Sequence, residues 1–97
     1  MRESQFQSTV IKYLRSKGCY VLNVAGGTQI PKGTPDLIVC FPNGEFGGIE
    51  LKTDIGRTTE LQEHHIREIR KSGGYARVLR PSELESFKME IEDMTHV

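Results

Sequence analysis

The chain has 97 residues, of which 36% are hydrophobic, and its 13 Lys and Arg balance 13 Asp and Glu for a formal net charge of zero. That size predicts one compact domain, residues 1–97, with a single core and no room for a second catalytic domain. No apolar run approaches the roughly 18 residues of a membrane span and the N-terminus is amphipathic and charged, so we expect a soluble, intracellular protein. Zero net charge also argues against a general, charge-driven nucleic-acid binder.

Phe6, Val10 and Leu14 recur at helical spacing and predict a first helix over 3–16, stopped at Gly18. The β-forming run 19–24 is a first strand, and the loop that follows it, 25–35, is rich in Gly and Pro. Residues 36–41 and 46–52, joined by Pro42-Asn43-Gly44, form a hairpin. Thr59 with Gln62 matches a capping box, which opens a second helix running to about Ser72. A fourth strand covers 75–80, and Pro81-Ser82 open a third helix with Leu84, Phe87, Ile91 and Met94 on one face. The order α-β-β-β-α-β-α predicts an α/β fold, or α+β by another convention, in which helices flank a mixed sheet. The hairpin strands pair antiparallel, and the helical crossover returns a parallel strand.

Charge is segregated along this order. Arg2, Lys12, Arg15 and Lys17 face only Glu3 in residues 1–18; Arg67, Arg70, Lys71, Arg77 and Arg80 face only Glu68 in residues 64–80; acids dominate the C-terminal helix. Such runs are either solvated helix faces or contact surfaces. Cys19 and Cys40 fall within predicted strands without metal-ligand spacing and are expected to be buried, reduced thiols. His64 and His65 are adjacent on a helix and so point about 100° apart, which disfavours joint metal binding.

Several polar residues occupy apolar places. On the first helix Glu3 sits at the centre of the hydrophobic stripe, with Phe6, Gln7, Val10 and Leu14 all within about 60° of it. On the second, Leu61, Ile66 and Ile69 define an arc with Gln62 at its centre and His65 close by, while Glu60, Glu63, Arg67 and Arg70 face outward. Fraying of the chain terminus would explain Glu3, and the capping box would explain Gln62; a role in a site would explain either. In the hairpin, Asp36 stands at the mouth of one strand, and Glu50 and Lys52 emerge on one face of the other. Glu50 and Lys52 alone would make an ordinary surface pair. Two carboxylates brought together, however, repel unless a cation lies between them, and Mg²⁺ takes one or two carboxylates while keeping room for water and phosphate oxygens. Acid, acid and lysine therefore suit phosphodiester hydrolysis.

"GTPDL" at 33–37, "IELK" at 49–52, "GRTTELQ" at 56–62, and an acid with a glutamine in the first helix resemble the VRR-NUC (virus-type replication-repair nuclease) family of the PD-(D/E)XK nuclease superfamily. The resemblance spans about residues 3–80 and implies that family's αβββαβ nuclease core, to which this chain adds a C-terminal helix. It implies Asp36, Glu50 and the main-chain carbonyl of Leu51 as ligands of Mg²⁺ or Mn²⁺ and Lys52 as the catalytic lysine. Gln62 would support the lysine or the attacking water, and Glu3 would assist from the first helix, with Gln7 as a companion. Lys32, Arg57 and the glycine-bearing 26–32 loop are the expected contacts to substrate. The implied activity is a metal-dependent endodeoxyribonuclease of repair and recombination, cutting branched, Holliday-junction-like DNA without a small-molecule cofactor. Stand-alone domains of this kind are often encoded by bacteriophages, which implies the cytoplasm of a bacterial or phage-infected cell. One constellation cuts one strand, so symmetric cutting needs a homodimer; the Leu84/Phe87/Ile91/Met94 stripe either forms that contact or covers the sheet within one chain. The competing reading is a non-catalytic DNA-binding or assembly module that keeps the fold, and a partner-binding role for the acidic last helix is a third.

Overall fold

A computed structural model of the chain describes residues 1–96. Four strands, β1 (Tyr20–Asn23), β2 (Leu37–Cys40), β3 (Phe46–Leu51) and β4 (Tyr75–Leu79), form one sheet in the order β1-β2-β3-β4. The first two pairings are antiparallel and β3 pairs parallel with β4, with helix α2 (Glu60–Lys71) as the crossover, as a parallel neighbour requires. Helix α1 (Glu3–Ser16) precedes the sheet; a 3-10 turn at Pro81–Glu83 leads into α3 (Leu84–Thr95) after it.

The two faces of the sheet are filled differently. Phe6, Val10 and Leu14 of α1 pack with Phe87 and Ile91 of α3 against Val21, Leu37, Val39, Ile49 and Leu79 in one core. Tyr13 ties the two helices together through its hydroxyl, which donates to the Lys88 carbonyl at 2.9 Å, and through its ring, which tilts against Phe87. On the opposite face α2 lies over β3 and β4, so close that a Cβ on Gly48 would come within 2.7 Å of Ile69 Cδ1. Residues 38, 48 and 50 share that face by strand alternation, which is how the fold aims Glu50 toward α2.

Both free edges of the sheet are closed by arginines. Arg15 donates to the Val21 carbonyl on β1, while Arg70 and Arg77 donate through Nε to the Ala76 and Val78 carbonyls, which β4 turns away from β3. Arg77 also pairs with Glu83 and Glu90. Much of the positive charge counted over residues 64–80 is thus committed to the fold and not to a contact surface.

Four expectations are corrected, at Cys40, Leu61, Glu63 and Glu3. Cys40 is exposed, because it closes β2 on the face that α2 leaves uncovered; Cys19 alone is buried, just ahead of β1. Leu61 is 44% exposed, since only Ile66 of α2 is fully buried, and Glu63 is partly buried where it accepts from the Thr58 hydroxyl at 2.7 Å. Glu3 is exposed at the helix start and does not enter the core. Of the two uses left open for the α3 stripe, cover within the chain is the one seen: Phe87 and Ile91 are fully buried, and Leu84 and Met94 pack partly buried against the same core.

Because Phe87 bridges α1 and the sheet, Phe87→Ala is expected to cost about 3–5 kcal/mol of stability. Urea unfolding will check this; a loss under about 1 kcal/mol would show that α3 is dispensable to the core.

Candidate active site

Asp36 lies one residue ahead of β2. Extending the Leu37–Ile49 register by one pair sets it directly across from Glu50, with both side chains on one face. The approach to this position is tightly built. Gly33 takes φ +87°, and a Cβ there would come within 2.6 Å of Leu61, so glycine lets the loop pass beneath α2. Pro35 is fully buried, and His65 Nε2 lies 3.0 Å from the Lys32 carbonyl, anchoring the loop to α2. His65 therefore serves the loop, and Lys32 contributes its main chain there while its side chain stays outside the cleft described below.

Around the carboxylates the buried polar atoms are held by main-chain and side-chain partners, with one exception. The Leu51 main-chain N–H donates to Asp36 Oδ2 at 2.9 Å, which fixes Asp36 to β3. Glu50 is only 4% exposed. Its Oε2 accepts from Gln62 Nε2 at 3.0 Å and has Lys52 Nζ at 3.8 Å. Its Oε1 is buried with no hydrogen-bond partner, the only such side-chain atom among the described residues. An unpaired buried carboxylate oxygen is costly and calls for an explanation.

The two uses considered for Gln62 are realised by one conformation. Its Oε1 accepts from the Thr59 N–H at 2.9 Å and its main-chain N–H donates to Thr59 Oγ1 at 3.1 Å, completing the capping box, while Nε2 reaches Glu50. The amide oxygen caps the helix and the amide nitrogen contacts the Glu50 carboxylate.

Electrostatics follow from this geometry. Burial, reinforced by the nearby Asp36 carboxylate and opposed by Lys52, pushes the Glu50 carboxyl from the usual 4.5 to about 7. Asp36 is raised chiefly by burial, with Glu3 adding to the effect; the Leu51 N–H and Lys52 oppose it. Among the described residues no three His, Cys, Asp or Glu side chains converge into a closed ligand cage. The donor set is two carboxylates with one free buried oxygen. That fits a hard cation such as Mg²⁺, which binds through one or two carboxylates and retains several waters.

Asp36, Glu50, Leu51 and Lys52 open onto a cleft of about 790 Å³, whose other walls include Glu3 and Gln7 of α1 and Thr53, Asp54, Gly56 and Arg57 of the loop after β3. Glu3 stands on the rim, close enough for its charge to act on Asp36. Gln7 donates to Asn23 Oδ1 at 3.4 Å and so ties α1 to β1 beside the cleft. Two residues that shape this wall carry no signal in the sequence. Arg80 donates to the Thr53 and Gly56 carbonyls at 2.6 and 2.7 Å, and Asp54 accepts from the Ser82 N–H at 3.0 Å, locking the loop to the 3-10 turn. Both contacts span more than twenty residues, so no local pattern announces them.

A mixed sheet flanked by helices, with an acid pair and a lysine at the end of its central hairpin, defines the chain as a PD-(D/E)XK-type nuclease domain. The VRR-NUC domain matches residues 25–83, and the chain belongs to that family. The match takes in Asp36, Glu50, Lys52 and Gln62, and it leaves Glu3 and Gln7 of α1 outside. The fold is similar to that of Hjc, a Holliday junction resolvase from the archaeal hyperthermophile Archaeoglobus fulgidus. The TM-score is 0.54 at 20% sequence identity, over 79% of this chain and 67% of that one. A comparison with curated proteins gives no match.

The raised Glu50 carboxyl makes a signed prediction for the metal-free protein. Folding favours its neutral form, so its contribution to stability is complete below about pH 4.5 and is lost as pH rises through about 7. Wild type is expected to lose on the order of 3 kcal/mol between pH 5 and 8.5, and Glu50→Gln to lose much less. Denaturant titrations across that range are the check; parallel pH dependences for the two proteins would refute the assignment.

Proposed function

We propose that this chain is a divalent-metal-dependent endodeoxyribonuclease that hydrolyses phosphodiester bonds in branched, junction-like DNA, working as a homodimer in the cytoplasm of a bacterial or phage-infected cell. The single observation that carries the reading is the buried, unpartnered Oε1 of Glu50 facing a second carboxylate beside a lysine. A scaffold that needed only stability would gain by replacing such a pair with apolar residues, because uncompensated buried charge is destabilising.

Asp36 and Glu50 Oε1 would hold Mg²⁺ or Mn²⁺. Leu51 supports a third donor: its N–H faces Asp36, and the N–H and C=O of one strand residue leave on the same edge. Such a cation, when bound, neutralises phosphate charge and acidifies water. Lys52, partly buried at 21% exposure, places an ammonium beside the same carboxylate, where it orients the attacking water and offsets charge building on the phosphate. Water adds to phosphorus as the bond to one ester oxygen breaks, leaving a phosphate monoester and a hydroxyl. Gln62 steadies Glu50, Glu3 assists from the rim, and Arg57 and Gln7 on the cleft walls contact the DNA backbone with Lys32 further out. The Hjc likeness is consistent with a branched substrate.

For the dimer, the α3 stripe is buried and both sheet edges are capped. The exposed apolar residues that the sheet register groups together lie on the uncovered half of the α2 face: Tyr20, Leu22, Cys40 and Phe46 at neighbouring register positions, with the two aromatic rings and Leu22 each at least 45% exposed. A second copy of this chain meets it there.

Wild type with Mg²⁺ or Mn²⁺ is expected to cut four-way junctions in preference to linear duplex. Lys52→Ala is expected to lose about 10²–10³ in rate, and Asp36→Ala at least as much, with DNA binding retained. Wild type that binds junctions yet leaves every substrate intact with either metal would return the chain to the non-catalytic reading. Light scattering should give twice the mass of an 11.0 kDa chain, reduced to the monomer by Leu22→Glu with Phe46→Glu; a wild-type monomer at micromolar concentration overturns the dimer.

A further inference from the structure

Glu50 does not offer its two oxygens equally. Oε2 is held by the Gln62 amide and approached by Lys52, whereas Oε1 has no protein partner. Which end of the Gln62 amide meets Glu50 is decided elsewhere. The Thr59 main-chain N–H can only donate, so the atom it meets at 2.9 Å must be the carbonyl oxygen, and the NH₂ end is thereby turned to Glu50. A flipped amide would set N–H against NH₂ and oxygen against carboxylate, and both contacts would be lost. The lock is local and rigid, because Gln62's own main-chain N–H returns to Thr59 Oγ1 and the pair forms the first turn of α2.

We propose that Thr59 is a positioning residue for the metal site: its main-chain amide, acting through Gln62, occupies one oxygen of Glu50 and restricts that carboxylate to one-oxygen coordination. This rests on the reading of Asp36 and Glu50 as cation ligands and adds a selectivity to it. Ca²⁺ takes six to eight oxygens and commonly uses both oxygens of a carboxylate, while Mg²⁺ demands octahedral geometry with single-oxygen ligands and retained waters. A Glu50 limited to Oε1 therefore disfavours Ca²⁺ relative to Mg²⁺, and the N-cap of α2 becomes a determinant of which cation the site accepts.

The test reads binding and not cleavage. Mn²⁺ bound to the full chain is followed by its electron paramagnetic resonance signal, and Mg²⁺ and Ca²⁺ are titrated as competitors. Thr59→Ala keeps the main-chain N–H and is expected to keep the wild-type ratio of Ca²⁺ to Mg²⁺ affinity. Gln62→Leu and Thr59→Pro free Oε2 by different routes and are each expected to raise that ratio about fivefold. Proline at position 59 asks φ to move from the observed −88° toward about −65°, and circular dichroism reports whether α2 survives the change. Independently of any variant, slowed exchange of the Gln62 side-chain amide protons in metal-free wild type is expected, and free exchange would overturn the lock.

The failures are distinguishable. If Mn²⁺ binds, Asp36→Asn abolishes that binding, and the ratio is the same in all proteins, the restriction on Glu50 is wrong while the metal site stands. If only Gln62→Leu shifts the ratio, Thr59 is not the positioning group. If wild type does not bind Mn²⁺, the metal reading falls and this inference falls with it.

Discussion

Everything about the site depends on one buried carboxylate that the protein does not fully satisfy. Glu50 sits in a strand whose neighbours are almost fully buried, faces a second acid across the hairpin, and receives partners on one oxygen only. Removing a charge from water costs several kcal/mol unless partners compensate, so the fold holds this group under tension. The surrounding structure follows from that tension. Asp36 is pinned by the Leu51 N–H, Gln62 is oriented by its helix cap, and Lys52 is placed two residues along the same face.

The sheet supplies the rigidity this requires. β3 is an interior strand between an antiparallel and a parallel neighbour, so its main chain is hydrogen-bonded on both sides and a displacement of Glu50 would disturb two ladders. Gly48 and Gly33 allow α2 and the approach loop to come close, which places the α2 N-terminus beside Glu50 and not one layer away. On the cleft's far wall Arg80 and Asp54 brace the loop that carries Arg57. An exposed loop is thereby held in one shape at the edge of the site.

Most of the fold was legible because its elements carry local signals. Helical spacing marked α1 and α3, Pro-Asn-Gly marked the hairpin turn, and Thr59 with Gln62 marked the start of α2. The pairing of Asp36 with Glu50 in the candidate site was legible for a different reason: an acid at a strand mouth and another in an apolar strand violate the patterning of a core, and such violations concentrate at functional sites. What escaped was set by packing at long range. Periodicity cannot tell how far a helix covers a sheet, so Cys40 was expected inside and Leu61 was read as part of the buried arc. Nor can it tell that arginines 70, 77 and 80 would be drawn to main-chain carbonyls, which turned an apparent basic stretch into edge caps and a loop brace. The helix cap and the contact with Glu50 looked like alternatives for Gln62 in one dimension and are the two ends of one amide.

The central claim is that Glu50 is held with a free oxygen, near neutrality, waiting for a cation. Its carboxyl titration, followed by carbon-13 NMR with and without Mg²⁺, tests this directly. The expected midpoint is near 7 in metal-free protein, displaced downward by about one unit or more when Mg²⁺ is added. A midpoint in the ordinary glutamate range that Mg²⁺ leaves in place would contradict it.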